Sequence, residues 1–97
     1  MNQKHEEILR HTLGADRKPK SRWGHRNHFC CGDKGHSDYP ILVDLEKVGL
    51  VKSLVKFDQL YFCATLSGAR AIGLGRPALI RAGLLKNPHA SDLSAPE

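Results

Sequence analysis

The sequence predicts a small α+β domain in which a helix, a β-hairpin and a second helix follow one another, with an added helix before them. Apolar residues recur at three- and four-residue steps over residues 41–48, which is the spacing of a helix with one buried face. Over residues 50–65 the spacing changes to two, as in strands whose side chains alternate between faces. A chain of 97 residues suffices for one domain. We assign that domain to residues 1–85.

The predicted central helix spans residues 38–49. Asp38 is placed to cap it, and Pro40 falls in its first turn, where a missing N–H group is harmless. Gly49 is the left-handed residue that ends such a helix, and Leu50 is placed to fold back on the last turn. Its predicted apolar stripe consists of Leu42, Leu45 and Val48, with Ile41 alongside.

The predicted hairpin follows directly. Its first strand runs over residues 50–57 and its second ends in the aromatic pair Tyr61 and Phe62, with a short tip near Asp58 and Gln59. Thr65 is suited to cap a further helix over residues 65–74.

Helices are also predicted at both ends of this unit. Residues 2–13 have Asn2 as a cap, and a narrow apolar face that suggests docking by one side. Another helix is expected to open at Arg76 and to stop at Gly83, and its apolar content suggests a homodimer interface. The residues of that predicted interface are Leu79, Ile80, Leu84 and Leu85. Residues 86–97 are polar and contain proline, so we expect a disordered tail.

The central unit resembles the recognition half of a MarR-type winged-helix domain. The resemblance rests on an LxxLxxxGLV pattern, an aromatic strand and a TxxG helix start, here Leu42, Leu45, Gly49, Leu50, Val51, Tyr61, Phe62, Thr65 and Gly68. It covers about a third of the chain. It implies that the 38–49 helix lies at the DNA major groove, that the hairpin is the wing and that two copies pair through terminal helices. The helix that usually precedes the recognition helix is not evident in the sequence.

A second resemblance is to small uncharacterised proteins of tailed phages and prophages. It rests on RNHF at residues 26–29, a glycine-rich turn, HxDYxxL at residues 36–42 and LxxxGL at residues 45–50. This resemblance implies a source for the chain and no particular activity.

The positive charge lies mostly outside the central unit. The chain has a net charge of +5, and residues 1–36 contain eight Lys or Arg and four acids. Residues 37–66 contain three Lys or Arg and four acids. A basic excess favours nucleic acid or an acidic protein surface as partner, although a solvated basic surface is the alternative.

Residues 14–36 are predicted to be a basic arm and turn region. Within it, residues 16–26 combine five Lys or Arg with the one Trp of the chain, and their lack of either period predicts an extended arm. The candidate residues for binding nucleic acid or a partner protein are Arg17, Lys18, Lys20, Arg22, Trp23, Arg26, Lys52 and Lys56. Trp23 would either stack on a base or fill the core. Lys52 and Lys56 would either meet phosphate or protect an edge strand from aggregation.

No bound metal or cofactor is expected, and zinc is the alternative considered. His28, Cys31 and His36 match the first three ligand positions of a zinc knuckle, with His in place of the first Cys. Ile41 occupies the fourth ligand position. Cys63 would then complete the site, or Cys30 or His25. The other interpretation is that Phe29, Cys30 and Cys31 form a short strand whose thiols pack as small apolar groups.

No enzyme signature is found in the sequence, so we expect a binding protein. Three cysteines without a disulfide pattern, no apolar segment long enough to cross a membrane and no apolar leader predict a cytoplasmic protein. The first functional hypothesis is an inhibitor of a host defence complex, of the anti-CRISPR kind, acting by protein contact. The other is a winged-helix-like DNA-binding regulator that uses the basic arm and the hairpin. The predicted recognition helix presents Asp44 and Glu46 and offers no Arg, Asn or Gln to read bases, which favours the inhibitor.

Overall fold

A computed structural model describes residues 2–86 as four helices and a three-stranded sheet. The helices are α1 (Gln3–Thr12), α2 (Tyr39–Lys47), α3 (Leu66–Ala71) and α4 (Arg76–Arg81), with one turn of 3-10 helix at Lys20–Arg22. The strands are β1 (Phe29–Gly32), β2 (Val51–Lys56) and β3 (Gln59–Ala64). The predicted α+β class is confirmed, and the predicted tail lies outside the described residues except for Lys86.

The sheet is antiparallel and has the order β1-β3-β2. Phe62 in β3 lies opposite Phe29 in β1 and Ser53 in β2. Since side chains alternate along a strand, the sheet has an inner face that packs on the helices and an outer face on the other side. The inner face contributes Phe29, Val51, Phe62 and Ala64 to the core.

Helix α1 forms and docks as its sequence predicts. The Asn2 side chain accepts a hydrogen bond from the His5 backbone N–H at 2.9 Å, which satisfies a donor of the first turn. Its narrow apolar face is buried through Ile8, Leu9 and Leu13. The helix is therefore held on the core by one side.

The C-terminal end of α2 forms the expected glycine cap. Gly49 has a φ of +81°, its N–H donates to the Glu46 carbonyl at 3.0 Å, and the Leu50 N–H donates to the Leu45 carbonyl at 3.0 Å. Two other predictions for this helix are wrong. Asp38 precedes the helix in a helical conformation and its side chain makes no capping bond. Val48 is 68% exposed, because it is the cap residue beyond the last turn and no longer packs on the core.

The hairpin turns one residue earlier than predicted. Lys56 lies opposite Gln59, so the turn consists of Phe57 and Asp58, both with positive φ (53° and 60°). This is the backbone of a type I′ turn, in which Asn and Gly are the usual residues. Phe57 is 84% exposed, and the turn therefore holds an aromatic ring in solvent at a cost in backbone strain.

Helix α3 closes the end of the hairpin. The Thr65 hydroxyl accepts a bond from the Gly68 N–H at 3.1 Å, which confirms the predicted cap, and donates to the Gly49 carbonyl at 2.7 Å. A Cβ atom at Gly68 would collide with the carbonyl oxygen of Leu50. This close approach of two backbones requires glycine at position 68.

Helix α4 packs much of its apolar surface inside the domain. Leu79 is buried in the core, and Leu84 and Leu85 are half-buried against it. Ile80 is also half-buried. Leu79 is thus unavailable to a second copy, and the predicted homodimer would depend on Ile80, Leu84 and Leu85. No helix within residues 2–86 is long and apolar enough to cross a membrane.

Candidate functional site

The basic loop, defined as residues 16–26, is folded against the helices and is not the extended arm predicted from its composition. The Gly24 N–H donates to the Leu13 carbonyl at 2.9 Å, and the His28 N–H just after the loop donates to the Thr12 carbonyl at 3.1 Å. The Arg26 guanidinium donates to the His11 carbonyl, with Nε at 3.0 Å. These bonds tie the C-terminal part of the loop to the C-terminal end of α1, which no local pattern in the loop could indicate.

Trp23 holds the middle of the loop. Its indole N–H donates to the Arg17 carbonyl at 2.7 Å, and its half-buried ring packs against the core. The Lys20 Nζ lies 5.4 Å from the ring centroid and the Arg10 Cζ lies 5.5 Å from it, both within the range of cation–π attraction. Trp23 therefore packs against the core and also holds the cations Lys20 and Arg10 near its ring.

Arg81 joins the loop from the other end of the chain. Its Nε donates to the Trp23 carbonyl at 2.8 Å and its Nη2 approaches the Lys20 carbonyl at 3.4 Å. The separation of 58 and 61 residues between these partners explains why Arg81 was not among the predicted site residues. Arg10, which faces Trp23, was missed for a similar reason.

Arg81 and residues of the basic loop border a cationic cleft of about 640 Å³. The cleft is lined by Gly14, Arg17, Lys18, Ser21, Arg22, His25 and Arg81. No carboxylate lines it, and Arg17, Lys18 and Arg22 form no ion pair within the described part of the chain. The potential in this cleft attracts anions, because no acid among residues 2–86 pairs with its three free cations.

The acid of the loop, Asp16, is directed away from this cleft. Its carboxylate lies 3.0 Å from Nδ1 of His11, and the two form a hydrogen-bonded pair. The hydrogen bond from His11 lowers the pKa of Asp16 below 3.8, against the opposing effect of burial. Asp16 therefore stays ionised at neutral pH. Together with His11 it lines a different cleft, which also includes Lys4 and Glu7.

A second group of cations lies on the outer face of the sheet. Lys52, Leu54 and Lys56 in β2 lie opposite Cys63, Tyr61 and Gln59 in β3, and Cys30 in β1 lies opposite Tyr61. We call these seven residues the outer face. The half-buried Tyr61 lies at its centre beside Leu54. Lys52 lies near the start of β2 and Lys56 at its end.

One cavity of about 360 Å³ opens on this face. It is lined by Asn27, His28, Leu54, Lys56, Phe57, Tyr61 and Cys63. The neighbouring Cys30 raises the pKa of Tyr61 above 10.0, mainly by its electrostatic effect, so the phenol remains neutral at physiological pH. Sequence analysis singled out Lys52 and Lys56 here but gave no role to Tyr61 or Phe57.

The residues considered for zinc are distributed over both faces of the sheet. Cys31 is buried, and its thiol donates to the Asp33 carbonyl at 3.3 Å, while burial raises the pKa of the thiol above 9.0. His36 packs edge-on against Phe29 at 5.6 Å between ring centroids, whereas His28 and Cys63 line the cavity on the outer face. Among residues 2–86, no three His, Cys, Asp or Glu side chains are grouped closely enough to hold a metal ion.

Comparison of the chain with protein-family models, with curated proteins and with solved structures gave no match.

Proposed function

We propose that the protein is a non-enzymatic nucleic-acid-binding protein that holds the phosphate backbone in the cleft of the basic loop. The observation that carries the proposal is the convergence of Arg17, Lys18, Arg22 and Arg81 on one cleft whose lining, within residues 2–86, contains no carboxylate. Lys and Arg groups that neutralise phosphates release counterions and supply most of the affinity for nucleic acid. The loop is already folded, so little conformational entropy is lost when phosphate binds.

The topology supports a winged-helix-like version of this proposal. In this version the β2-β3 hairpin, which follows α2 directly, would be the wing. Only one helix lies between β1 and β2, and residues 33–38 form turns where a helix would precede the recognition helix. The phosphate contacts are therefore assigned to the basic loop, with the hairpin lysines as a second contact, and α2 is given no part in reading duplex DNA.

Both acids of α2 interact with other groups of the protein, and the phosphate contacts are assigned to the basic loop and not to this helix. The Glu46 carboxylate accepts hydrogen bonds from the Ser53 N–H at 3.0 Å and the Ser53 hydroxyl at 2.8 Å. Asp44 lies 3.6 Å from Nε2 of His5. Glu46 covers a donor of edge strand β2, which is a structural role.

The test is a salt series of binding measurements on charge variants. Fluorescence anisotropy would follow labelled oligonucleotides of about 20 nucleotides from about 50 to 300 mM salt, with wild type and the triple variant Arg17→Gln, Lys18→Gln, Arg22→Gln. Three lost phosphate contacts should lower the slope of log K against log salt by about 2 to 3, and the affinity at about 100 mM by at least tenfold. The control is the triple variant Lys4→Gln, Lys34→Gln, Arg70→Gln, which removes the same charge from exposed sites elsewhere.

Two results would overturn the proposal. One is failure of the wild type to bind any oligonucleotide at about 50 mM salt, where phosphate contacts are strongest. The other is an equal loss of affinity in the control, which would mean that net charge alone governs binding.

The second candidate function is inhibition of a host defence complex by protein contact. The observation that favours it is apolar exposure on the hairpin, where Val55 is 72% and Phe57 is 84% exposed. Exposed apolar groups are typical of protein interfaces. A tagged protein incubated in bacterial host lysate with nuclease should then retain a discrete protein partner, and Val55→Ser should release it.

A further inference from the structure

The cavity on the outer face has the composition of a stacking site. Tyr61 and Phe57 contribute aromatic rings to it, Leu54 an aliphatic side chain, and Lys56 a cation. Its volume, about 360 Å³, lies at the lower end of the range of roughly 300–1,000 Å³ found for small-molecule sites. A flat aromatic ligand of modest size suits such a cavity.

The register of the strands places charge on both sides of the aromatic centre. Tyr61 lies opposite Leu54, while Lys52 and Lys56 are two residues before and after Leu54 on the same face. At about 3.3 Å per residue the two lysine backbones are separated by roughly 13 Å. The part of the chain that the structure describes contributes no carboxylate to the cavity. The complementary ligand is therefore an aromatic ring with negative charge on both of its flanks.

The polar groups of the cavity differ in what they can offer. The Asn27 amide is occupied, since it donates to the Ala64 carbonyl at 3.1 Å and accepts from the Ala64 N–H at 2.7 Å. The exposed His28 side chain makes no hydrogen bond within residues 2–86 and can bond the edge of a ligand. Asn27 thus shapes the wall, and His28 is the group that can contact a ligand.

We propose that the outer face stacks an unpaired nucleobase between flanking phosphates, so that the preferred nucleic acid is single-stranded. This inference rests on the proposed function and names its ligand class. A base in a duplex has both faces covered by its neighbours, whereas a single strand can turn a base onto an aromatic side chain. Lys52 and Lys56 would neutralise the phosphates on the two sides of that base, and the basic loop would hold backbone elsewhere.

The test compares a single-stranded oligonucleotide of about 12 nucleotides with its duplex, for the wild type and for Tyr61→Leu. Loss of the ring should lower the single-strand affinity by about 5- to 100-fold, as expected for one base–aromatic stack. The duplex affinity should change less than twofold. Tyr61→Phe keeps the ring and should bind as the wild type does. A 2-aminopurine base in the single strand reports stacking directly, because its fluorescence should be quenched by the wild type and not by Tyr61→Leu.

The outcomes separate this inference from the proposed function. Unchanged single-strand binding by Tyr61→Leu, with weakened binding by the basic-loop triple variant, would overturn the stacking site alone. Wild-type binding to duplex that is as strong as to single strand would also overturn it. A wild type that binds neither would overturn both proposals. Circular dichroism of each variant confirms that the fold is intact.

Discussion

Tyr61 and Phe62 are adjacent aromatic residues of β3, yet they lie in opposite environments. Phe62 is 1% exposed, faces the helices and lies opposite Phe29, whereas Tyr61 is half-buried and lies on the outer face between Cys30 and Leu54. Within residues 2–86 the helices cover the inner face and leave the outer face uncovered. The comparison suggests that stability depends on one face of the sheet and binding on the other.

The largest expected effect is the loss of stability in Phe62→Ala. Removing this ring leaves a cavity in the core and should lower the free energy of unfolding by about 3–5 kcal/mol. Tyr61→Ala should cost about 1 kcal/mol or less, because its side chain lies on the outer face of the sheet and not in the core. Urea unfolding followed by circular dichroism measures both, and Phe62→Leu extends the series if the alanine variant does not fold. Equal losses at positions 61 and 62 would contradict the division between faces.

A smaller effect is expected where α3 closes the hairpin. Helix propensity alone would make Gly68→Ala stabilising by about 1 kcal/mol. The collision of the new Cβ with the Leu50 carbonyl oxygen reverses that sign, and we expect a loss of about 1–3 kcal/mol. The control is Gly75→Ala, whose Cβ would have Pro77 Cδ at 4.0 Å as its nearest neighbour. Because Gly75 is the N-cap of α4, its loss should cost no more than about 1 kcal/mol. Thermal unfolding of both variants decides the sign.

The smallest effect sharpens the comparison at the hairpin tip. Phe57→Asn should stabilise the fold by about 0.5–1 kcal/mol, since Asn accepts a positive φ more readily than Phe. Phe57→Leu removes the ring but keeps the strained backbone, so it should not stabilise. Both should weaken single-strand binding. Equal stabilisation by the two substitutions would show that exposure of the ring, and not backbone strain, is the cost at this position.

Much of the fold was predictable because its signals are local. The Asn2 and Thr65 caps, the Gly49 helix end and the change of period at Leu50 each depend on a few neighbouring residues. The errors occurred where local signals compete. Asp38 has a capping side chain that the backbone conformation does not use, and the turn at Phe57 and Asp58 uses residues that rarely adopt positive φ.

The candidate site was predictable only in part. The sequence identified Arg17, Lys18, Lys20 and Arg22 as a basic cluster, because the charge of a segment can be counted without knowing how it folds. It could not indicate that the loop is folded, since the bonds that fold it go to Leu13 and His11. The metal candidates illustrate the same limit, because adjacent residues in β1 point to opposite faces of the sheet.

The sequence by itself therefore determined the four helices and the β2-β3 hairpin, the basic character of residues 16–26 and the buried positions Leu42 and Leu45 of α2, all of which depend on short-range spacing. Only the tertiary structure decided that Arg81 joins the basic loop across 58 residues and that Tyr61, Leu54 and the two lysines share an outer face. The physical reason is that strand pairing and helix docking bring together groups whose distance along the chain carries no information about their distance in space.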